Sequence, residues 1–255
     1  MTIRAVTFDL WGTLLFDPPA TDDRHMPRRL ADFATILGAA GVPVAMPALE
    51  RAYRDSGAFL NQLWLQHRDL PVEEHVRVIL VGVDSELATR LPSETLRQLV
   101  DAYARPALLA PPAIAHGARA ALDALAGRGY TLALVSNTMR TPGVVLREVL
   151  GHYGLLGHFA HLTFSDECGV RKPEPAIFQR ALSAMAVEPG EAVHVGDDPV
   201  LDVEGARAAG MRVIQLTTVR PPWFGRQKPH ATIATLSELP DALTRLDRPR
   251  RWRRR

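Results

Sequence analysis

Short apolar segments recur along the chain, and each has the length of a β-strand. They are rich in Val, Ile, Leu and Phe and cover residues 3–8, 131–135, 161–164, 192–195 and 212–216. Runs that are apolar on both faces are typical of parallel strands buried between two layers of helices. Helical patterns separate the later runs, namely 142–151 with Thr141 as the N-cap, a helix beginning at Pro175, and 199–210. This alternation predicts a doubly wound α/β fold, in which right-handed crossovers join the strands of a parallel sheet.

The interval between the first strand and Pro106 has a different pattern. Apolar positions recur three and four residues apart over 30–37, 49–64, 76–83 and 96–103, which predicts amphipathic helices. Turn-forming residues border the interval at 17–19 and 109–112. We therefore predict an α/β core of residues 1–16 and 106–244, a small all-helical cap domain of residues 17–105, and a basic tail of residues 245–255. The cap should lie over the carboxyl end of the first strand, where ligands of open α/β sheets bind.

Polar and charged side chains follow four of the predicted strands at their carboxyl ends. They are Asp9 after the first strand, Ser136 and Asn137 after the second, Arg171 and Lys172 after the third, and Asp197, Asp198 and Asp202 after the fourth. Each group alone has an ordinary structural explanation, such as a turn aspartate, a helix cap or a solvated loop. Because the carboxyl ends of parallel strands meet at one edge of a sheet, we expect the groups to converge in one crevice.

The fourth group predicts a metal site. Asp197, Asp198 and Asp202 lie within six residues, and three neighbouring carboxylates repel one another. A hard divalent cation with oxygen ligands relieves that repulsion, and Mg²⁺ is the first choice. His194, inside the preceding strand, is expected to be a hydrogen-bonded core histidine rather than a ligand.

The four groups together resemble the four motifs of the haloacid dehalogenase superfamily of hydrolases. The matching residues are FDLWGTL at positions 8–14, Ser136-Asn137, Lys172-Pro173, and Gly196-Asp197-Asp198 with Asp202, in that order along the chain. The helical interval after the first motif resembles the cap of the subgroup that carries an insertion there. The resemblance implies a Rossmannoid α/β core beneath a helical cap.

The resemblance also implies a role for each residue. Asp9 would be a carboxylate nucleophile that forms a covalent aspartyl intermediate, later hydrolysed by water. Thr13, Ser136 and Lys172 would complete the catalytic set and, with Asn137, would bind the transferred phosphate. Mg²⁺ would be held by Asp9, the main-chain carbonyl of Trp11, Asp197, Asp198 and Asp202, in part through water.

Trp11 departs from the superfamily pattern. Most phosphatases of this superfamily have an aspartate two residues after the nucleophile, where it donates a proton to the leaving oxygen and later accepts one from the attacking water. An indole has a donor N–H but no proton that titrates near neutral pH, so Trp11 cannot do this.

Three functions remain open at this point. The favoured one is a Mg²⁺-dependent phosphatase acting on a small phosphorylated metabolite through an aspartyl-phosphate intermediate. The second is a metal-independent 2-haloacid dehalogenase, a branch that it resembles in carrying an aromatic residue at this position but that usually has Ser in place of Asp197; Arg28 or Arg29 could then bind the haloacid carboxylate. The third is a catalytically reduced member of the superfamily that acts as a binding or regulatory protein.

Composition narrows the location and the partners. Cys168 is the single cysteine, which excludes an intrachain disulfide and is typical of a reducing compartment, so we predict a cytoplasmic protein. No segment approaches the roughly 20 apolar residues that cross a bilayer, and the start of the chain lacks a secretory signal pattern, so no membrane contact is expected. The net charge of +2 arises from the seven arginines of residues 245–255. The rest of the chain is mildly acidic, so nucleic acid is not an expected partner. The small phosphate ester expected as partner is what the family resemblance implies.

Overall fold

The computed structural model describes residues 2–17, 23–218 and 227–247. The strands are β1 (Ala5–Phe8), β2 (Leu15–Phe16), β3 (Ala113–Ile114), β4 (Thr131–Ser136), β5 (His161–Phe164), β6 (Ala192–Gly196), β7 (Arg212–Leu216) and β8 (Ala231–Ile233). The helices are α1 (Met26–Ala39), α2 (Met46–Leu65), α3 (Val72–Val83), α4 (Leu87–Arg90), α5 (Ser93–Ala104), α6 (Pro106–Leu109), α7 (Ala118–Gly127), α8 (Gly143–His152), α9 (Ser165–Cys168), α10 (Pro175–Ala184), α11 (Gly205–Ala208) and α12 (Leu239–Asp247). Among these described helices, none combines the length and apolarity needed to cross a membrane.

A six-stranded sheet in the order β5-β4-β1-β6-β7-β8 forms the centre of the fold, and every pair in it is parallel. Helices cover both faces because alternate residues of the buried strands point to opposite sides. Val6 and Phe8 of β1 belong to the apolar cluster that includes α7, α8 and α12, whereas Ala5 belongs to the cluster with α10 and α11. The predicted doubly wound α/β fold is confirmed.

The strand order reverses at β1, and this position decides where the site forms. Phe8 is in register with Leu134 of β4 on one side and with Val195 of β6 on the other. The chain leaving β1 therefore emerges between the chains leaving β4 and β6. In sheets of this kind the crevice at such a switch point is the usual ligand site.

A helical insertion, α1 to α5, interrupts the α/β part between β2 and β3. It has its own apolar cluster, which includes Phe33 of α1, Leu49 of α2, Ile79 of α3 and Tyr103 of α5. Below it, β2 and β3 pair antiparallel and join the two chain segments that enter and leave the insertion. The separate core agrees with an independent cap unit, although the domain limits at residues 17 and 105 stay a prediction.

Three local expectations need comment. Thr141 is not the N-cap of α8: Pro142 takes that position, and the Gly143 N–H is accepted by the Asp166 carboxylate at 3.2 Å instead. The helix predicted after Pro199 begins as a π-helical segment, Pro199–Glu204, before α11 follows it. Most of the predicted basic tail, residues 248–255, lies outside the described residues, and its first three residues complete α12.

Candidate active site

A cavity of about 930 Å³ lies where the helical insertion meets the carboxyl ends of the central strands. The α/β part contributes Asp9, Trp11, Gly12, Asn137, Arg140, Lys172, Asp197, Asp198 and Asp202 to its lining. The insertion and the chain leading into it contribute Asp23, Arg24, His25, Arg29, Asn61 and Trp64. Most of the residues singled out by the strand-end pattern therefore face one cavity.

Asp9 follows β1 directly and is buried at the base of this cavity. Its main-chain N–H donates to Val195 of β6 at 2.9 Å, which fixes the turn that leaves the sheet. Oδ1 accepts a hydrogen bond from Lys172 Nζ at 2.5 Å, whereas Oδ2 is buried and has no hydrogen-bond partner among the described residues. Burial raises the pKa of Asp9 to about 7, against the lowering effect of the Lys172 charge. One carboxylate oxygen is thus held and the other is open to a ligand.

Lys172 bridges two carboxylates in the interior. Its Nζ donates to Asp9 and also to Asp202 Oδ1 at 2.7 Å, and its side chain is 2% exposed. Burial acts to lower the pKa of Lys172, but the Asp202 and Asp9 carboxylates outweigh burial and raise it above the ordinary value. The same ammonium holds the pKa of Asp202 below its usual range, although burial acts in the opposite direction. Lys172 is therefore a buried cation fixed beside Asp9.

Asn137 fixes the main chain that carries this lysine. Its Oδ1 accepts the Lys172 N–H at 2.7 Å, and its Nδ2 donates to the Lys172 carbonyl at 3.1 Å. Asn137 lines the cavity, as a phosphate-binding residue would, but its side-chain amide is already engaged. The contact with substrate expected of it therefore stays a prediction, while its contact with the lysine loop is direct.

Three carboxylates form a buried acidic cluster. One ligating oxygen from each of Asp9, Asp197 and Asp202 lies within 4.8 Å of the others. Asp198 stands apart, because its Oδ1 accepts the N–H groups of Val200 and Leu201 and caps the π-helical segment. Asp202 is heavily bonded: Oδ1 accepts from Lys172 and contacts His194, and Oδ2 accepts the Asp198 N–H at 2.9 Å.

His194 supports the cluster from behind, a role that the sequence did not reveal. It is completely buried on β6, with Nε2 3.0 Å from Asp202 Oδ1 and Nδ1 2.8 Å from Thr7 Oγ1. Burial lowers the pKa of His194. The expectation of a hydrogen-bonded core histidine agrees with this geometry. Because its partner Asp202 belongs to the acidic cluster, His194 also connects the sheet to the candidate site. The signal lay in the register of Thr7 on β1 opposite His194 on β6, which is visible only once the sheet order is known.

The two predicted hydroxyls, those of Thr13 and Ser136, are buried and are not part of the cavity lining. Thr13 Oγ1 has no hydrogen-bond partner among the described residues, and Ser136 Oγ donates to the Asn137 carbonyl at 3.2 Å. Trp11 does line the cavity, and its indole N–H is also buried and, over the described part of the chain, without an acceptor. Among the described residues, the Trp11 indole is thus an unpaired donor of a residue that lines the same cavity as Asp9.

The arginines considered for a haloacid carboxylate have other partners. Arg28 is mostly exposed, pairs with Asp32 at 2.7 Å and is not part of the cavity lining. Arg29 is 1% exposed and donates to Asp23, Tyr53 and the carbonyls of Tyr103 and Arg140. Arg28 therefore lies outside the cavity, and the engaged guanidinium of Arg29 offers no open edge of the kind that binds a carboxylate in two places.

Gly12 allows the first loop to approach the acidic cluster. Its φ is +83°, and a Cβ at this position would lie 2.8 Å from the Asp197 carboxyl carbon. Gly41 has a similar φ of +75°, but a Cβ there would meet nothing within 4 Å. Replacing Gly41 would therefore add backbone strain alone, whereas replacing Gly12 would add strain and a collision with Asp197.

We expect Gly41→Ala to lower the free energy of unfolding by about 1 kcal/mol, the usual cost of left-handed backbone at a residue with a side chain. Gly12→Ala should cost at least about 1 kcal/mol more, because the added methyl collides with a buried carboxylate. Urea unfolding monitored by circular dichroism measures both values. Equal losses would show that the loop yields and that the close approach of Gly12 to Asp197 has no energetic weight.

Comparison with known proteins agrees with this geometry. The family model of haloacid dehalogenase-like hydrolases matches residues 3–210. The chain belongs to this family. A phosphoglycolate phosphatase of Rhodospirillum rubrum is 36% identical over 214 residues, which cover 84% of this chain and 79% of that protein. A phosphoserine phosphatase of Thermus thermophilus is 36% identical over 146 residues, 57% of each chain, so the match spans little more than half of that relative.

Solved structures place the same fold over nearly the whole chain. A 2-haloacid dehalogenase from Pseudomonas syringae superposes with a TM-score of 0.65 at 26% identity, covering 96% of this chain and 99% of that one. As a haloacid dehalogenase-like hydrolase, the protein is an enzyme with this family's Rossmannoid core. The relatives carry names from both the phosphatase and the dehalogenase branches, so the site chemistry has to decide between them.

Proposed function

We propose that this hydrolase is a Mg²⁺-dependent phosphatase that cleaves a small phosphorylated metabolite through an aspartyl-phosphate at Asp9. The observation that carries the proposal is the joint burial of Lys172 with the acidic cluster of Asp9, Asp197 and Asp202 at the base of the cavity. The phosphatase names of its relatives support it.

The donor set of the cluster fits Mg²⁺. Three buried carboxylates, Asp9, Asp197 and Asp202, offer oxygen ligands close to one another, and Lys172 pairs with Asp9 and Asp202. Asp9 Oδ2 is buried and, among the residues described, accepts no hydrogen bond. Oxygen-only ligands are what this hard cation prefers. We assign Asp9, Asp197 and the Trp11 main-chain carbonyl as ligands, with Asp198 and Asp202 holding the metal directly or through water.

Asp202 is better suited to the indirect role. Its two oxygens already interact with Lys172, His194 and the Asp198 N–H, so it acts first on the lysine. Asp198 is likewise engaged as a helix cap. When bound, the metal polarises the phosphoryl group and offsets its charge.

The protein side chains then divide the reaction between them. A carboxylate oxygen of Asp9 attacks phosphorus, and the bond to the ester oxygen breaks as the P–O bond to Asp9 forms. The ester oxygen leaves with the electron pair and takes its proton from the substrate, a cap residue or water. Lys172 neutralises the negative charge on the phosphoryl oxygens, and the Thr13 hydroxyl donates a hydrogen bond to them. The Ser136 hydroxyl would do the same after turning away from the Asn137 carbonyl. Water then hydrolyses the aspartyl-phosphate, which releases phosphate and restores Asp9. The Thr13 hydroxyl has no partner within the described part of the chain, which supports its assignment, since a buried donor is costly unless a ligand satisfies it.

We further propose that residues 17–105 act as a cap that sets specificity, over a core of residues 1–16 and 106–244. The cavity draws its upper wall from this insertion, so differences among cap side chains would select the substrate. A cytoplasmic location and a small phosphate ester as partner belong to the same proposal.

Two observations support a dehalogenase as the second candidate. They are the aromatic residue Trp11 and the fold that the chain shares with the Pseudomonas 2-haloacid dehalogenase. Halide leaves without a proton, so an indole beside Asp9 would not impair that reaction. Asp197 opposes it, because without a cation a second carboxylate beside Asp9 repels an anionic haloacid. A binding or regulatory role has less support, because a buried lysine and acidic cluster are costly to maintain.

A paired release assay tests the proposal. Phosphorylated metabolites and 2-haloacids are screened in parallel for phosphate and halide, each with Mg²⁺ and with EDTA. We expect phosphate release that falls at least about a hundredfold when the metal is removed, a loss of nearly 3 kcal/mol of transition-state stabilisation. Halide release that persists in EDTA would establish the dehalogenase instead, and absence of both products across the screen would favour the binding protein.

A further inference from the structure

Asp69 is a buried carboxylate of the helical insertion that contacts the α/β part. It lies between α2 and α3, and its side chain is completely buried. Oδ2 accepts hydrogen bonds from Arg171 Nη1 at 2.5 Å, Ser165 Oγ at 2.5 Å and Thr138 Oγ1 at 3.3 Å. Oδ1 accepts from the Trp64 indole at 3.1 Å. A single carboxylate of the insertion therefore gathers donors from three separate places in the α/β part.

Main-chain pairing holds the same two segments together. The Asp69 N–H donates to Gly169 at 3.1 Å, the Arg171 N–H donates to His67 at 2.9 Å, and Arg68 forms a β-bridge with Val170. The Arg171 guanidinium also lies over the Trp64 ring, 4.4 Å from its centroid. Residues 67–69 of the insertion and 169–171 of the α/β part thus form one short antiparallel junction.

Two of the three places that Asp69 contacts, the loops with Thr138 and Arg171, carry candidate site residues. Arg171 immediately precedes Lys172, and Thr138 immediately follows Asn137, whose amide clamps the Lys172 main chain. Arg171 Nη1 also donates to the Thr138 carbonyl at 2.6 Å, so it joins the two loops directly. Hydrogen bonds and sequence-adjacent residues therefore connect the insertion to the main chain of Lys172, whose ammonium lies beside Asp9.

We infer that Asp69 is a positioning residue. It holds Arg171 and Thr138, and through them the docked helical insertion fixes the position of Lys172 beside Asp9. Its consequence for turnover rests on the proposed phosphatase function. An ion pair of purely structural importance could lie anywhere on the contact between the two parts. Arg105 and Glu148 form such a pair, 2.9 Å apart, exposed and outside both loops.

The matched variants are Asp69→Asn and Glu148→Gln. Asparagine keeps the volume of Asp69 and its ability to accept the Trp64 N–H, but it removes the charge that faces Arg171. We expect kcat of Asp69→Asn on the best phosphate ester to fall about 10- to 100-fold with KM changed less than about threefold, because misplacing a catalytic cation by about 1 Å has effects of this size. Glu148→Gln should remain within about twofold in both constants. A folded Asp69→Asn protein with the kcat of the wild type would overturn the inference.

A double-mutant cycle covers the case in which Asp69→Asn folds poorly because Arg171 is left buried without a counter-charge. The set is completed by Arg171→Gln and by the double variant, in which both charges are gone. If Asp69 acts through Arg171, the double variant should lose no more kcat than the worse single variant. Losses that multiply would show two independent effects and would refute the inference, whereas a purely structural pair would couple in thermal stability and leave kcat of the folded variants unchanged.

Amide hydrogen exchange separates this inference from the proposed function. The Lys172 N–H, bonded to Asn137 Oδ1, is the reporter, and peptides spanning 136–142 and 165–174 are followed by mass spectrometry. Exchange in both peptides should accelerate at least about tenfold in Asp69→Asn and stay unchanged in Glu148→Gln, since protection reports local opening. If the wild type releases no phosphate, the proposed function fails while this comparison still decides the positioning. Unchanged exchange in Asp69→Asn would overturn the positioning itself.

Discussion

Asp9→Asn should abolish phosphate release, with kcat reduced at least about a thousandfold, because an amide is a far poorer nucleophile than a carboxylate. The fold should survive the change. Asparagine is nearly isosteric with Asp9, and its side-chain oxygen can still accept the hydrogen bond that Lys172 donates to Oδ1. Lys172 also keeps its second partner, Asp202, so its charge does not become unpaired.

The measurement is phosphate release by the purified variant with Mg²⁺, beside thermal unfolding to establish that it is folded. Asp32→Asn is the matched control, because it makes the same chemical change at an exposed ion pair on α1. That control should keep the wild-type rate. Wild-type turnover by a folded Asp9→Asn protein would exclude Asp9 as the nucleophile and, with it, the aspartyl-phosphate.

The α/β core was predictable because its strands are buried on both faces. A parallel strand between two helical layers has to be apolar throughout, so 161–164 and 212–216 were identified with the observed limits of β5 and β7. The β2–β3 ribbon has two residues in each strand, too few for any periodicity. Helices α1 and α2 begin several residues before the predicted 30 and 49, because their first turns contain Pro27 and Pro47 and precede the regular apolar spacing that located them.

The site was predictable to the extent that it depends on strand ends. Asp9 and Asp197 needed only the rule that parallel strands place their carboxyl ends together. Lys172 follows β5 only after helix α9 and a loop, so its place beside Asp9 depends on how that loop folds back. Asp198 can either cap the π-helical segment or bind the metal, and the sequence pattern does not show which of these roles its carboxylate takes. Asp69 gave no signal, because its importance comes from residues about 70 to 100 positions away that only the packed insertion brings near. Contacts of that kind are set by tertiary docking, not by local pattern.

Trp11 should make the enzyme depend on its leaving group. The residue lines the cavity next to Asp9, and its indole N–H has no acceptor among the described residues, so it can hydrogen-bond a ligand but cannot transfer a proton. Aryl and acyl phosphates release weakly basic oxygens and need no proton, whereas alkyl phosphates release an alkoxide that does. We therefore expect wild-type kcat/KM to be much higher for aryl and acyl phosphates than for alkyl phosphates of similar size.

Trp11→Asp supplies the missing proton donor. Trp11→Asn is its control, because asparagine has the size of aspartate but no titratable group. The ratio of alkyl to aryl turnover should rise about 10²-fold or more in Trp11→Asp relative to Trp11→Asn, the usual contribution of general acid–base catalysis. Both variants lose the packing of a large ring, a cost of up to about 3 to 5 kcal/mol for a fully buried side chain and less for Trp11, which is partly buried. Thermal unfolding must therefore accompany the rates. If the wild type turns over matched aryl and alkyl phosphates equally, another group supplies the proton, and the indole is not a catalytic deficit. If it turns over neither ester and releases halide, Trp11 belongs to a dehalogenase site.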